Sequence, residues 1–125
     1  MEDLPGKNIM KSILVVDDDY QMRGFLEEVL GEKGYSVKTA ESLGQAERMM
    51  KESRFDVVLC DEKLPDGSGY EFRMRHHPAP PFIMFSGGDE LFLTRRSTPE
   101  TAILMKPLNL QLLLALIRDL GPSGW

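Results

Sequence analysis

Five side chains able to handle phosphate or a metal ion stand where short apolar runs end. Asp17 and Asp18 follow Ile13-Leu14-Val15-Val16, Asp61 follows residues 55–60, Ser86 follows 82–85 and Lys106 follows 103–105. Three carboxylates in one small site repel each other unless a cation sits among them. Carboxylate oxygens suit a hard ion such as Mg2+, which takes few protein ligands and keeps waters for a phosphate. An ammonium and a hydroxyl beside them suit phosphoryl oxygens. No Gly-x-x-x-x-Gly-Lys loop is present to hold a nucleotide. The implied chemistry is phosphoryl transfer to a carboxylate, with Asp as the nucleophile.

These residues can act together only if the elements carrying them bring their ends together. Residues 13–16 are continuously apolar, as in a strand buried on both faces. Met22, Phe25, Leu26, Val29 and Leu30 then mark one helix face, closed by Gly31 and Gly34. A second strand over 35–40 ends blandly at Ala40. Ser42 and Gln45 form a capping-box pattern ahead of a helix facing inward through Leu43, Ala46, Met49 and Met50. A third strand covers 55–60, and Leu64-Pro65-Asp66-Gly67-Ser68-Gly69 is turn chemistry. Residues 70–77 hold a short helix, 82–85 a fourth strand, 89–96 a weak helix, 103–105 a short fifth strand and 108–120 a long apolar helix. Strands alternating with helices mean a parallel sheet covered on both faces, with ligands at the carboxyl ends of the strands. The five polar residues fall on that edge.

Composition limits the function. The 125 residues suit one domain, with a leader over 1–10, the folded domain over 11–120 and a tail over 121–125. The formal charge of −5 disfavours binding to nucleic acid or to anionic membranes. The single cysteine, Cys60, excludes an intrachain disulfide framework and a Cys-based zinc site. The start, Met1-Glu2-Asp3-Leu4-Pro5, lacks a basic region followed by an apolar run, and the greasy stretch at 110–117 contains Gln111. A cytoplasmic protein without membrane insertion is expected.

Taken together, Ile13-Leu14-Val15-Val16-Asp17-Asp18-Asp19, Asp61-Glu62-Lys63-Leu64-Pro65-Asp66-Gly67-Ser68-Gly69, Ile83-Met84-Phe85-Ser86-Gly87 and Met105-Lys106-Pro107 resemble a response-regulator receiver domain of two-component signalling, of the chemotaxis-regulator kind. The resemblance covers residues 11–120. It implies a doubly wound α/β fold with a five-stranded parallel sheet in the flavodoxin-like order 2-1-3-4-5. It implies that Asp61 accepts a phosphoryl group from phosphohistidine of a histidine kinase or histidine phosphotransfer protein. Asp17, Asp18, Asp61 and the Lys63 backbone carbonyl would hold Mg2+. Ser86 and Lys106 would bind phosphoryl oxygens, and the Lys106–Pro107 bond would be cis.

The sequence departs from that pattern in the short spans from Asp61 to Ser86 and from Ser86 to Lys106, which imply short third and fourth helices. It also departs at Ile103, where many relatives carry an aromatic ring that follows the hydroxyl. Asp19 reads as a helix cap, His76 and His77 as a helix end, Cys60 as a small core residue, and the methionines as mostly core. On the last helix, Leu110, Leu113, Leu114, Ile117 and Leu120 share a core face. Leu112 and Leu116 fall outside it, a candidate surface for a homodimer or a downstream target, the alternative being that Leu116 only widens the core stripe.

Two other functions compete. A phosphatase of the haloacid-dehalogenase kind would need a second Asp two residues after the nucleophile, where Lys63 stands. A pseudo-receiver would act as an interaction module without phosphorylation. A signalling phosphoacceptor, not an enzyme, is the expectation.

Overall fold

The runs 13–16, 57–60 and 82–85 are apolar throughout because both faces of the sheet are covered there, and the period of two sends alternate residues to opposite cores. In β1 (Ser12–Val16), Leu14 and Val16 join one cluster while Ile13 and Val15 join the other. The computed structural model describes residues 11–76, 80–87 and 101–119. The expected leader, the tail, the helix over 89–96, His77 and Leu120 lie outside them.

The further elements are α1 (Tyr20–Glu32), β2 (Ser36–Ala40), α2 (Leu43–Glu52), β3 (Val57–Asp61), β4 (Lys63–Leu64), β5 (Gly67–Ser68), α3 (Gly69–Arg75), β6 (Phe82–Ser86), β7 (Thr101–Met105) and α4 (Leu110–Asp119). Five strands form one parallel sheet in the order β2-β1-β3-β6-β7, which is the expected flavodoxin-like order. β4 and β5 make a small antiparallel pair in the loop after β3.

One core lies under α2 and α3, with Leu43, Ala46, Tyr70 and Phe72 against Leu14, Val58, Cys60 and Met84. The other lies under α1 and α4, with Leu26, Leu30, Leu113 and Ile117 against Ile13, Val15, Leu59 and Ile83. Local chemistry sets the helix ends. Asp19 Oδ1 accepts from the Gln21 and Met22 N–H groups at the start of α1. Ser42 Oγ accepts from Gln45 N–H, but the Gln45 side chain returns to Glu41 N–H, one residue before the cap. Gly34, at φ +94°, takes the left-handed turn after α1, whereas Gly31 lies inside the helix.

Several boundaries and faces differ from expectation. β7 starts at Thr101 because it pairs with β6 over five residues, Phe82↔Thr101 to Ser86↔Met105. α4 starts at Leu110 because the Asn109 side chain accepts from Leu112 N–H, which caps the helix after Pro107. Phe25 is exposed, since α1 buries a narrower stripe through Leu26 and Leu30. Met74 and Met105 are exposed, so the methionines are less uniformly core than expected. Leu116 is partly buried against the α1/α4 core, which leaves Leu112 as the exposed leucine of that pair. α3 is short, at seven residues, as expected. Lys11 Nζ donates to the Ile117 and Arg118 carbonyls at 2.6 and 3.0 Å, closing the last turn of α4 over the start of β1. Among the described residues no helix is long and apolar enough to cross a membrane.

Candidate functional site

Sheet register places the site. β1 pairs with β3 up to Val16↔Cys60, so Asp17 and Asp61 are the next residues on adjacent central strands. β6 pairs with β7 up to Ser86↔Met105, so Lys106 follows on the neighbouring strand. The ladder continues past these ends. Asp17 N–H donates to Ala40 O at 3.0 Å, Glu62 N–H to Phe85 O at 3.0 Å and Lys106 N–H to Ser86 O at 2.8 Å. The backbone at Asp17, Asp61, Ser86 and Lys106 is therefore fixed by the sheet.

The carboxylates of Asp17, Asp18 and Asp61 each offer an oxygen within 4.8 Å of the others. Asp17 and Asp61 are buried, at 3% and 6% exposure, and Asp18 is exposed. Burial pushes the Asp17 carboxyl above its usual range, and the charges of Asp61 and Asp18 add to this; the Asp19 N–H bond and the Lys106 ammonium oppose it. Asp19 N–H donates to Asp17 Oδ1 at 2.9 Å, and the Arg23 guanidinium donates to the Asp17 carbonyl at 2.9 Å. Lys106 Nζ lies 3.1 Å from both oxygens of Asp61. The Lys106–Pro107 bond is cis, as the resemblance implied.

The donor set fits a hard divalent cation. All three groups are anionic oxygens, and opposite ligands of Mg2+ lie about 4 Å apart at its bond lengths. A span of 4.8 Å closes on one ion with small side-chain adjustments. The neighbouring Cys60 is a core residue. It is fully buried, its thiol is pushed well up by burial, and its Sγ donates to the Asp61 carbonyl at 3.2 Å.

The loop after Asp61 packs tightly. A Cβ on Gly69 would collide with the Asp61 carbonyl oxygen and approach Met84 Cε to 2.7 Å, so only glycine fits there. Ser68 caps α3 through the Tyr70 and Glu71 N–H groups. Asp66 caps a different helix: it accepts from Leu43 and Gly44 N–H at the start of α2 at 3.0 and 2.9 Å. Lys63 is exposed, and its N–H points to Asp61 Oδ1 at 3.5 Å, beyond a normal hydrogen bond. His76 ends α3, with Nδ1 2.7 Å from Phe72 O and its ring 4.4 Å from the Phe72 ring, a helix end as expected.

Asp17, Asp18, Asp61 and Lys106 thus come together, and Ser86 lies fully buried on the adjoining strand end. The Ser86 hydroxyl, however, donates to the Glu62 carboxylate. Sequence reasoning gave Glu62 no role. Its signal was an acid directly after a strand-ending acid, level with Ser86 on the next strand. Arg23, on the Asp17 carbonyl and 3.9 Å from Glu41, was also missed.

Fold and site together define a class, a flavodoxin-like α/β domain whose carboxyl edge carries acids, a lysine and a serine. The chain belongs to the response regulator receiver domain family, whose model matches residues 13–118. It is 30% identical over 102 residues to the response regulator protein PilR of Pseudomonas aeruginosa, and 34% identical over 107 residues to the transcriptional regulatory protein ZraR of Escherichia coli. Each match covers 78% of this chain and 23% of the relative, so the chain spans under a quarter of their length. Among solved structures, the chemotaxis protein CheY4 of Vibrio cholerae superposes with a TM-score of 0.79 at 28% identity, over 90% of this chain and 99% of that one. A CheY-like receiver domain from Methanospirillum hungatei gives 0.77 at 30% identity, over 89% and 93%.

Proposed function

We propose that Asp61 accepts a phosphoryl group from phosphohistidine of a histidine kinase or histidine phosphotransfer protein, and that loading Asp61 alters a partner-binding surface. The observation that carries this reading is the Asp61 carboxylate itself. It lies at the end of a central strand, with one ammonium 3.1 Å from both oxygens and two further carboxylates beside it. One relative, 38% identical over 65 residues, is the sporulation initiation phosphotransferase F of Bacillus subtilis.

In the transfer, an Asp61 oxygen attacks phosphorus opposite the imidazole nitrogen. An O–P bond forms and the P–N bond breaks; the imidazole leaves with the electron pair and takes a proton from solvent. Lys106 orients Asp61 before attack and then offers its ammonium to phosphoryl oxygens. Ser86 supplies a hydroxyl to the same oxygens. Asp17, Asp18, Asp61 and the Lys63 carbonyl would hold Mg2+, which neutralises phosphoryl charge when bound. The product is a stored acyl phosphate, which makes the domain a signalling phosphoacceptor and not a turnover enzyme.

Leu112, 47% exposed on α4, is the candidate contact for a second copy or a downstream target. A structural relative at 32% identity is the beryllofluoride-activated NtrC4 receiver domain dimer. The test of the function is labelling by acetyl phosphate with Mg2+, read by intact mass. Wild type gains one phosphoryl group and Asp61→Asn gains none. A gain retained in Asp61→Asn moves the site elsewhere. No gain in wild type favours a phosphorylation-independent interaction module.

A further inference from the structure

The Ser86–Glu62 contact is built into the fold. Ser86 is fully buried and Glu62 half-buried. Glu62 N–H donates to Phe85 O at 3.0 Å, and its carbonyl accepts from Gly69 N–H at 2.9 Å. The Glu62 backbone is thus pinned between β6 and the start of α3, and its freedom is in the side chain. The Ser86 backbone is held in turn by Lys106 N–H. Two adjacent acids, Asp61 at the end of β3 and Glu62 directly after it, therefore divide two donors. Lys106 serves Asp61, and Ser86 serves Glu62.

A serine hydroxyl has one proton to donate. While Glu62 accepts it, an oxygen of a phosphoryl group on Asp61 cannot. A phosphoryl group on Asp61 also places further negative charge one residue from the Glu62 carboxylate, where like charges repel. We propose that Glu62 is a built-in competitor of the phosphoryl group for Ser86. Its carboxylate holds the hydroxyl in the unloaded domain and is expelled toward solvent when Asp61 is loaded, so the displaced Glu62 side chain carries the signal to the surface. Ile103, opposite Met84, is an aliphatic residue packed against the α2/α3 core and has no polar group to follow Ser86. Glu62 is the group that must move when the hydroxyl turns. This inference rests on the reading of Asp61 as the phosphoacceptor.

The test measures the affinity of beryllofluoride, a phosphoryl mimic, with Mg2+, for wild type, Glu62→Ala, Ser86→Ala and the double variant. Asp61→Asn is the control, and thermal transitions check folding. Glu62→Ala is expected to bind about tenfold tighter than wild type, a gain worth about 1.4 kcal/mol, and the gain is expected to vanish in the Ser86→Ala background. Should Glu62→Ala not fold, the near-isosteric Glu62→Gln carries the same comparison, with a smaller gain because its oxygen still accepts from Ser86. Unchanged affinity on removing the Glu62 carboxylate overturns the inference. Equal tightening with and without the Ser86 hydroxyl also overturns it, because Glu62 then acts through charge alone. If wild type binds and Asp61→Asn does not, the Asp61 reading stands whatever Glu62 does. If neither wild type nor the Glu62 variants bind, that reading falls and the inference falls with it.

Discussion

Lys106 Nζ is equidistant from the two carboxylate oxygens of Asp61, at 3.1 Å each. The contact joins residues 45 apart in sequence and reaches over β6, the strand between their own. Equal sharing commits neither oxygen, so the carboxylate is oriented without being blocked. One ammonium is paired into a cluster of three carboxylates. That imbalance sets opposite signs for two substitutions.

Without divalent metal, Asp18→Asn relieves repulsion, so thermal stability holds or rises. Lys106→Met leaves the carboxylates uncompensated. Because Lys106 is 44% exposed, solvent screens the pair, and the loss is about 1 kcal/mol. Mg2+ restores much of it, since the added cation replaces the missing charge. Asp18→Asn is expected to weaken Mg2+ binding by about tenfold or more, because one of the three carboxylates proposed to hold the ion is gone. Melting curves with EDTA and with Mg2+, together with a Mg2+ titration, check both signs. A collapse of Asp18→Asn without metal would make Asp18 structural.

Gly69→Ala is expected to destabilise by about 2 kcal/mol or more, as a methyl forced into a packed core does. It would push on the Asp61 carbonyl, Met84 and Cys60, so beryllofluoride affinity falls with it. Gly24, in the middle of α1 with nothing within 4 Å of its would-be Cβ, gives the opposite sign. Gly24→Ala raises stability by about 0.5–1 kcal/mol. Urea unfolding of the two variants separates crowding from helix propensity.

The acid, serine and lysine positions were legible because each ends an apolar run, and parallel strands deliver their ends to one edge. Strand order followed from resemblance, and parallel pairing over four or five residues at each strand junction confirmed it. The Ser86–Glu62 contact was not legible, because it depends on which rotamer a side chain takes across two strands. The Asp66 bond to α2, 23 residues back in sequence, was hidden for a similar reason: Asp66 read only as turn chemistry. Leu116 stayed open between the core stripe and the surface because a helical wheel does not show how wide a stripe the sheet covers, and it packs against the α1/α4 core.

The two leucines of α4 therefore separate. Leu116, against the α1/α4 core, loses packing on Leu116→Gln and costs about 1–2 kcal/mol. Leu112→Gln changes stability by less than about 0.5 kcal/mol, as exposed substitutions do. If α4 pairs with a second copy or a target, Leu112→Gln alone weakens that association, read by sedimentation with and without beryllofluoride. Association untouched by Leu112→Gln removes α4 from the candidate interface.

Asp66 links the loop after Asp61 to the start of α2, and its effect depends on pH. Its bonds from the Leu43 and Gly44 N–H groups hold the carboxyl below its ordinary value, with the Arg75 charge contributing in the same direction. A carboxylate lowered in the folded state stabilises wherever it is ionised. Its contribution is complete above the unfolded value of about 3.9 and is lost as pH falls through the lower folded value. Asp66→Ala removes that contribution and the N-terminal partner of α2 together. The wild-type advantage in melting temperature is therefore expected to be full at pH 6–7, by about two units above that unfolded value, and to shrink below about pH 4. The carboxylate is exposed, so added salt also reduces the advantage. Melting curves of wild type and Asp66→Ala across that range check the sign. An advantage that is constant with pH would show that Asp66 acts through neutral hydrogen bonding alone.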